Sequence, residues 1–185
     1  GKTMNVMSFE GLQQLSDLID DALADDAVKG VVITSGKDGT FAGGMDLNVI
    51  AKMKEDAGDD PARGVFEGVM QMHGVLRKIE LAGIDPKTQK GGKPIATALP
   101  GTALGIGLEL PLSTHRIFCA DNPKAKIGLP EIMVGIFPGA GGTTRVARKM
   151  GAMAASPFLL EGKLSDPKKA KAAGLIDEVS ADPMA

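Results

Sequence analysis

Several residue types that carry common functions are absent or scarce in this sequence. Among its 185 residues there is no Trp and no Tyr, so the aromatic platforms on which nucleic-acid bases stack are poorly supplied. The single cysteine, Cys119, cannot form a disulfide within the chain, and its apolar neighbours favour a buried structural thiol. These absences argue against a nucleic-acid-binding module and against a disulfide-stabilised secreted scaffold.

Catalytic and metal-binding patterns based on histidine are also missing. The only two histidines are His73 and His115. Neither belongs to a cluster of His, Cys and carboxylate residues with metal-ligand spacing. Ser113 precedes His115 by two positions, but this spacing supports no hydrolase triad. We therefore expect structural roles for both histidines, and we predict no metal site.

Charge and hydropathy exclude further classes. The formal net charge of −2 at pH 7 gives no reason to expect a nucleic-acid partner. No apolar run approaches the length of a transmembrane helix and no signal peptide is visible, so we expect a cytoplasmic location. Gly105 and Gly107 are followed by Leu110 where a dinucleotide-binding fingerprint would have its third glycine, and no Walker-type phosphate loop occurs.

What the sequence does contain is the composition of an ordinary globular domain. Apolar residues make up 43% of the chain and charged residues 24%. A chain of 185 residues is long enough for one domain with a substantial core, and we expect residues 1–185 to form a single domain. Helical periodicity alternates with short apolar runs along the chain, which predicts an α/β layered fold.

Local patterns predict where the elements lie. Helices are expected at Ser8 to Ala24 with Ser8 as N-cap, from Asp46 to about Lys54, across residues 65–79, near Gly107, at Thr143 to Met150 and at Ala152 to Leu160. Strands are expected at Val28 to Ser35, Pro94 to Leu99, Arg116 to Ala120 and Leu175 to Val179. Asp166 and Pro167 predict the start of a further helix and Gly174 its end, whereas Leu81 to Gly92 is expected to be a long loop.

The stretch from Lys93 to Gly142 carries the residues that suggest chemistry. A buried strand is followed by the glycine turn of Gly105 and Gly107 and then by Glu109, and Glu131 precedes a second glycine-rich turn that opens a helix. Two carboxylates that meet in one pocket can transfer protons. Glycines beside them let backbone N–H groups approach a ligand closely. The pattern therefore favours a proton-transfer site with an anion-stabilising hole.

Four motifs, taken in this order, resemble those of the enoyl-CoA hydratase/isomerase, or crotonase, superfamily. They are Phe41 to Leu47 (FAGGMDL), Ala103 to Leu110 (ALGIGLEL), Ile127 to Glu131 (IGLPE) and Pro138 to Thr143 (PGAGGT). Within this superfamily the chain is especially similar to the hydratase domain at the N-terminus of multifunctional fatty-acid oxidation α-subunits. The resemblance implies a crotonase-like spiral of β-β-α units. It also implies that an N-terminal hairpin and C-terminal helices are missing, so we expect a domain truncated at both ends.

The resemblance assigns an oxyanion hole to two of these motifs. The backbone N–H groups of Gly43 and Ile106 would hold the thioester oxygen as it gains charge. Ile106 stands where the family usually has glycine. A β-branched residue is barred from positive φ, so the backbone of Ile106 can act as a donor only if its φ is negative. The other residues of the first loop that we expect beside the substrate are Gly44, Met45 and Asp46. Helix capping explains Asp46 equally well.

The same resemblance assigns acid–base roles to the carboxylates. Glu109 would activate a water molecule and Glu131 would deliver a proton to Cα of the substrate. The glycine-rich turn before the next helix would support the site through Pro138, Gly139, Gly141 and Gly142.

These roles imply an enoyl-CoA hydratase that adds water to trans-2-enoyl-CoA in fatty-acid β-oxidation. Its substrate would be an acyl-CoA thioester, and no separate cofactor is expected because coenzyme A is part of that substrate. An oligomer is possible, as is a thiolase-type partner subunit if the parent protein is a multifunctional α-subunit.

Three alternatives stay open at this point. A Δ3-Δ2-enoyl-CoA isomerase would need only the carboxylate of Glu131, and one domain could catalyse both reactions. A non-catalytic acyl-CoA-binding module would not need the intact pair of Glu109 and Glu131. A serine protease of related fold is disfavoured by the missing Ser/His arrangement.

Overall fold

Two four-stranded sheets form the framework of the protein in a computed structural model that describes residues 4–46, 48–49 and 58–184. The strands are β1 (Val31–Thr34), β2 (Thr40–Ala42), β3 (Ile95–Leu99), β4 (Thr102–Leu104), β5 (Arg116–Ala120), β6 (Ile127–Gly128), β7 (Leu164–Ser165) and β8 (Glu178–Ser180). The α-helices are α1 (Phe9–Ala24), α2 (Pro61–Leu81), α3 (Ile106–Glu109), α4 (Gly142–Met150), α5 (Ala152–Leu160) and α6 (Pro167–Ala172), with 3₁₀ turns at Pro111–Ser113 and Pro130–Val134.

The first three pairs of consecutive strands build both sheets in the same order. One sheet has the order β1-β3-β5-β8, with every neighbouring pair parallel. The other has the order β2-β4-β6-β7, in which only the last pair is antiparallel. Two strands that are consecutive in the chain therefore contribute one strand to each sheet, and a helical segment follows them. This is the repeating β-β-α unit of the predicted spiral, and it confirms the α/β prediction.

The two long helices form where the sequence predicts them. Ser8 is the N-cap of α1, and its hydroxyl accepts a hydrogen bond from the Gly11 N–H at 3.1 Å. Asp60 caps α2 in the same way, and Pro61 occupies its first turn, where the missing N–H has no consequence. The buried residues of α2 recur at helical spacing, and they are Met72, Val75, Leu76 and Ile79.

Several shorter elements differ from the predictions. The first strand is limited to β1, and the last begins at Glu178, three residues later than expected. β2 and β4 were not predicted, because three residues beside glycine turns are too few to display a strand period. Asp46 acts as a cap through its Oδ1, which accepts the Asn48 N–H at 2.9 Å. The rest of the helix expected up to Lys54 lies outside the described residues.

Helix α3 packs against β2 at a distance that only glycine permits. A Cβ placed on Gly107 would lie 2.6 Å from the Ala42 carbonyl oxygen and 2.8 Å from the Ala42 Cβ. The helix and the strand therefore meet backbone to backbone, which brings the segment after β2 next to the start of α3. In the described part of the chain no helix is both long and apolar enough to cross a membrane.

Candidate active site

The segments that follow β2, β4 and β6 lie at one edge of the second sheet. These three strands are parallel neighbours, so their carboxyl ends point the same way. The segment after β2 carries the first glycine motif, α3 follows β4 directly, and Glu131 comes three residues after β6. Parallel sheets commonly place functional residues at this edge. The motifs predicted from the sequence are thereby brought together.

The first of these segments is anchored by the chain that precedes α1. Met7 N–H donates to the Gly44 carbonyl at 2.9 Å, and Asp46 N–H donates to the Met7 carbonyl at 3.1 Å. Met7 and Met45 thus form a parallel bridge. In such a bridge one residue bonds the two neighbours of its partner, so the N–H of Met45 itself points to the opposite side.

Gly43 is engaged in a way that changes its predicted role. Its N–H donates to the Asn5 carbonyl at 2.8 Å, and the Asn5 side chain donates to the Phe41 carbonyl at 2.8 Å. The geometry therefore does not support Gly43 as an oxyanion donor, because its hydrogen is already used. Among the described residues the Met45 N–H has no such acceptor, so it is the better placed donor in this segment.

The second donor, Ile106, sits at the first position of α3. The positive φ at this turn falls on Gly105, with φ of 56° and ψ of −131°, so Ile106 keeps ordinary helical backbone. The geometric difficulty of a β-branched residue at this position therefore does not arise. As a first-turn residue Ile106 has no acceptor for its N–H within the helix. The two segments touch, since a Cβ on Gly105 would lie 3.6 Å from the Gly44 Cα.

Glu109 is a buried carboxyl held by the glycine-rich turn. Its side chain is only 2% exposed, and its Oε1 accepts the N–H groups of Ala140 at 2.9 Å and Gly142 at 2.8 Å. The pKa of Glu109 is raised from its ordinary 4.5 to about 7, chiefly by burial and also by the charge of Glu131, against the lowering effect of these two bonds and of Arg145. A carboxyl with this pKa can exchange a proton near neutral pH.

Glu131 faces the same space from the 3₁₀ turn after β6. A Cβ on Gly105 would lie 3.3 Å from Glu131 Oε1, so this carboxyl reaches the turn that carries Ile106. Its Oε2 is buried and has no hydrogen-bond partner among the described residues. Burial raises the pKa of Glu131, which favours the protonated acid.

The turn at residues 138–142 has a supporting role that can be read from its contacts. The amides of Ala140 and Gly142 bind Glu109, while the Gly139 carbonyl accepts a hydrogen bond from His73 Nε2 at 2.8 Å. A Cβ on Gly142 would lie 2.8 Å from Glu109 Oε1, which explains the glycine there. Of the other predicted supporting residues, Gly141 contacts Arg145 and Pro138 offers its carbonyl to Thr143 at 3.4 Å.

Sequence reasoning assigned no site role to His73 or Arg145. His73 lies on α2, and Arg145 lies on α4, where its Nη1 donates to the Ala140 carbonyl at 2.9 Å. His73 contacts a main-chain carbonyl 66 residues away, which no local pattern reveals, whereas the carbonyl that Arg145 contacts is only five residues away. The one available signal was that Arg145 follows the glycine motif by one helical turn, on the side that faces the turn.

No metal centre emerges from the described residues. They contain no group of three or more His, Cys, Asp and Glu side chains that could hold a metal ion. Cys119 is buried, and burial raises the pKa of its thiol to about 12, so its reactive thiolate is strongly disfavoured.

Solved structures share the fold across most of the chain. The enoyl-CoA hydratase from Thermoplasma volcanium GSS1 matches 98% of the chain and 65% of its own length, with a TM-score of 0.80 and 29% sequence identity. The human mitochondrial Δ3-Δ2-enoyl-CoA isomerase has the same fold, with a TM-score of 0.78 at 24% identity over 96% of the chain and 63% of its own length. The predicted crotonase-like fold is thereby confirmed.

Sequence comparison points the same way. The fatty acid oxidation complex subunit alpha of Shewanella halifaxensis is 35% identical over 178 residues, which cover 96% of the chain and 23% of the relative. The chain thus spans about a quarter of the length of such relatives. The model of the family described as enoyl-CoA hydratase/isomerase matches residues 1–184. The chain therefore belongs to the enoyl-CoA hydratase/isomerase family.

Proposed function

We propose that this chain is an enoyl-CoA hydratase domain that adds water to trans-2-enoyl-CoA and forms 3-hydroxyacyl-CoA. The observation that carries the proposal is a pair of carboxyls with raised pKa values, the buried Glu109 beside Gly142 and the half-buried Glu131 beside Gly105, close enough for the charge of Glu131 to act on Glu109. Hydration needs both a base for water and an acid for carbon, and two positioned carboxyls supply them. The similarity of the fold to solved enoyl-CoA hydratases supports the proposal.

The thioester oxygen binds to backbone amides in this proposal. Addition at Cβ pushes negative charge onto the carbonyl oxygen, where fixed N–H donors stabilise it with little reorganisation. We assign these donors to Met45 and Ile106, because the Gly43 N–H is already bonded to Asn5. Contact between Gly44 and Gly105 brings the two donor segments together. Asp46 then serves as a helix cap.

The two carboxyls divide the proton transfers. Glu109 as carboxylate takes a proton from water while the water oxygen forms its bond to Cβ. Protonated Glu131 gives its proton to Cα, and its unbonded Oε2 is the atom available for that transfer. One proton enters the pair and one leaves it, so its total charge does not change. The starting protonation states return once the proton moves from Glu109 to Glu131, directly or through solvent.

Isomerisation of a Δ3 double bond is the second candidate. It requires one group that removes a proton from one carbon and returns it to another, and Glu131 has the unbonded buried oxygen for this role. The presence of Glu109 with a pKa near neutrality favours hydration as the main reaction.

We also propose a wider setting for this domain. The relatives named fatty acid oxidation complex subunit alpha support a role in fatty-acid β-oxidation, with residues 1–185 as a single domain of a multifunctional protein. Its ligand would be an acyl-CoA thioester, with coenzyme A bound as part of the substrate. Assembly with a thiolase-type subunit follows from the same relationship.

The test is to change each carboxyl to the isosteric amide in the full-length protein. Glu109→Gln and Glu131→Gln keep shape but cannot exchange the proton. We expect hydration of a short trans-2-enoyl-CoA, followed by loss of conjugated absorbance, to fall by about 10² to 10⁴ in each variant. Acyl-CoA binding should change little, because amides hold the carbonyl. Glu161→Gln, at an exposed glutamate, is the matched control.

The outcomes separate the candidates. Double-bond migration, measured beside hydration, should disappear in Glu131→Gln and partly survive in Glu109→Gln. Normal hydration in Glu109→Gln would reject the two-carboxylate mechanism in favour of the isomerase. Normal activity of both kinds in Glu131→Gln would reject the site. Tight binding without turnover in the unmodified protein would indicate a non-catalytic acyl-CoA-binding module.

A further inference from the structure

A single peptide group connects His73 to Glu109. The carbonyl of Gly139 and the N–H of Ala140 belong to the same peptide unit, and this part of the chain contains no cis bond. In a trans peptide these two groups point in opposite directions. His73 Nε2 bonds the oxygen end at 2.8 Å, and Glu109 Oε1 accepts from the nitrogen end at 2.9 Å. Because a carbonyl oxygen only accepts, the His73 tautomer must carry its proton on Nε2.

Arg145 fixes the peptide unit that comes next. Its Nη1 donates to the Ala140 carbonyl at 2.9 Å. This carbonyl belongs to the peptide unit that lies between the two units whose N–H groups donate to Glu109. Its Nη2 lies 3.5 Å from Glu80 Oε2, and its side chain is only 11% exposed. Glu80 and His73 are seven residues apart on α2, two helical turns along one face. Helix α2 therefore supports the turn at residues 138–142 in two ways. His73 bonds the turn directly, and Glu80 contacts Arg145, which bonds the turn.

We propose that His73 and Arg145 are positioning residues for Glu109, acting through the carbonyl groups of Gly139 and Ala140 to keep two amides aimed at its Oε1. The inference rests on the proposed hydratase function and adds to it the elements that hold its base. Hydrogen bonds in a chain polarise one another, so the bond to His73 also strengthens the Ala140 N–H as a donor.

The effect on Glu109 has a defined direction. The charged groups that act on this carboxyl are Glu131, which raises its pKa, and Arg145, which lowers it, as do the two amides. Removing either support weakens the stabilisation of the carboxylate, so the pKa of Glu109 should rise above about 7. As the pH is lowered, hydration should therefore begin to fall at a higher pH in these variants than in the unmodified protein. The effect should be larger on kcat than on KM.

The test uses His73→Leu and Arg145→Met in the full-length protein. Infrared difference spectra against Glu109→Gln isolate the carboxyl band of protonated Glu109 and titrate it without substrate. We expect the midpoint to rise by about one pH unit, which lowers hydration about tenfold on the acid side of the profile. His73→Gln restores a side-chain donor and should recover most of the shift, while Arg145→Lys keeps the charge and should recover part of it.

Arg148→Met is the matched control. Arg148 lies on the same helix as Arg145, one turn further along, and is exposed. Like His73 and Arg145, it lines a cavity of about 590 Å³ between α2 and α4. Its variant should titrate like the unmodified protein. An unchanged Glu109 midpoint in both His73→Leu and Arg145→Met would overturn the proposal. If one of the two fails to fold, the midpoint of the other decides, and if both fail, an unchanged midpoint in Arg145→Lys, for which a partial shift is expected, would overturn it. A shifted midpoint in a protein that hydrates nothing would support the positioning role and reject the hydratase.

Discussion

At the scale of single residues, the choice of oxyanion donor depends on which backbone N–H groups are already hydrogen-bonded within the protein. The sequence motifs predict two donor segments and two carboxyls in one site, and the structure brings these residues to one edge of a sheet. The motifs could not indicate that Gly43 bonds Asn5, because that contact joins segments outside any local pattern. The role of His73 was not predicted for the same reason, since His73 bonds the Gly139 carbonyl 66 residues away. Arg145 lies only five residues from Ala140, but an arginine in the first turn of a helix is not by itself a signal for a site.

One prediction concerns Gly142. A methyl group there would meet Glu109 Oε1 and Cγ at 2.8 Å, so Gly142→Ala should push the carboxyl away from its amide donors. Displacement of a catalytic group by about 1 Å can lower the rate about a hundredfold. We expect a loss of that size in kcat/KM for hydration, measured with a short enoyl-CoA.

The control lies in the same turn. A Cβ on Gly139 would meet nothing closer than the Phe137 carbonyl oxygen at 3.8 Å, and its φ is not positive. Gly139→Ala should therefore keep most of the activity. Equal losses in the two variants would show that the turn tolerates no side chain at all, and that contact with Glu109 is not the reason.

At the scale of elements, predictability follows length. Helices α1 and α2 contain enough turns for apolar spacing to show. The cap of α1 is the predicted Ser8, whereas α2 is capped by Asp60 and begins four residues before the predicted range of 65–79. Strands β2 and β4 have three residues each and no visible period, so they are defined by pairing with each other and not by their own residues. These two short strands nevertheless determine where both donor segments begin.

The contact between α3 and β2 yields a second prediction. Gly107→Ala would place a methyl 2.6 Å from the Ala42 carbonyl oxygen, which is backbone and cannot move aside easily. We expect the protein to lose about 1–3 kcal/mol of unfolding free energy. Acyl-CoA binding should weaken as well, because the two donor segments move apart. Chemical denaturation and a binding titration measure the two effects.

Gly74 provides the comparison. It lies inside α2, and a Cβ there meets no atom within 4 Å. Gly74→Ala should stabilise the protein by roughly 0.5–1 kcal/mol, because alanine loses less backbone entropy in a helix. If Gly107→Ala were as harmless as Gly74→Ala, the close packing of α3 on β2 would not be needed for the site.

At the scale of the whole molecule, the buried carboxyls make folding depend on pH. The pKa of Glu109 is about 7 in the folded protein and near 4.5 when exposed, so between these values the folded state binds more protons. Stability then falls as pH rises through this interval and is highest below it. The Glu109→Gln variant lacks this pH dependence because the glutamine side chain does not titrate. The stability of the unmodified protein relative to this variant should decline by roughly 3 kcal/mol from pH 4 to pH 8.

Denaturation of both proteins across this pH range checks the prediction. Glu161→Gln, whose glutamate is exposed, should follow the unmodified protein throughout. A constant difference between the unmodified protein and Glu109→Gln would mean that Glu109 keeps an ordinary pKa in the folded state, and would remove its proposed advantage as a base near neutral pH.

The strand order of the second sheet also determines the spacing between the residues of the proposed site. Met45, Ile106 and Glu131 each follow a different strand, and β2, β4 and β6 are direct neighbours. Neighbouring strands lie about 4.8 Å apart, so in the proposed site the segments that would hold the carbonyl and deliver the proton start one or two such steps apart. That separation belongs to the hydrogen-bonded ladder and not to any side chain. A relative could thus exchange the reacting groups and alter the chemistry, while the distance between bound carbonyl and reacting carbon stayed the same.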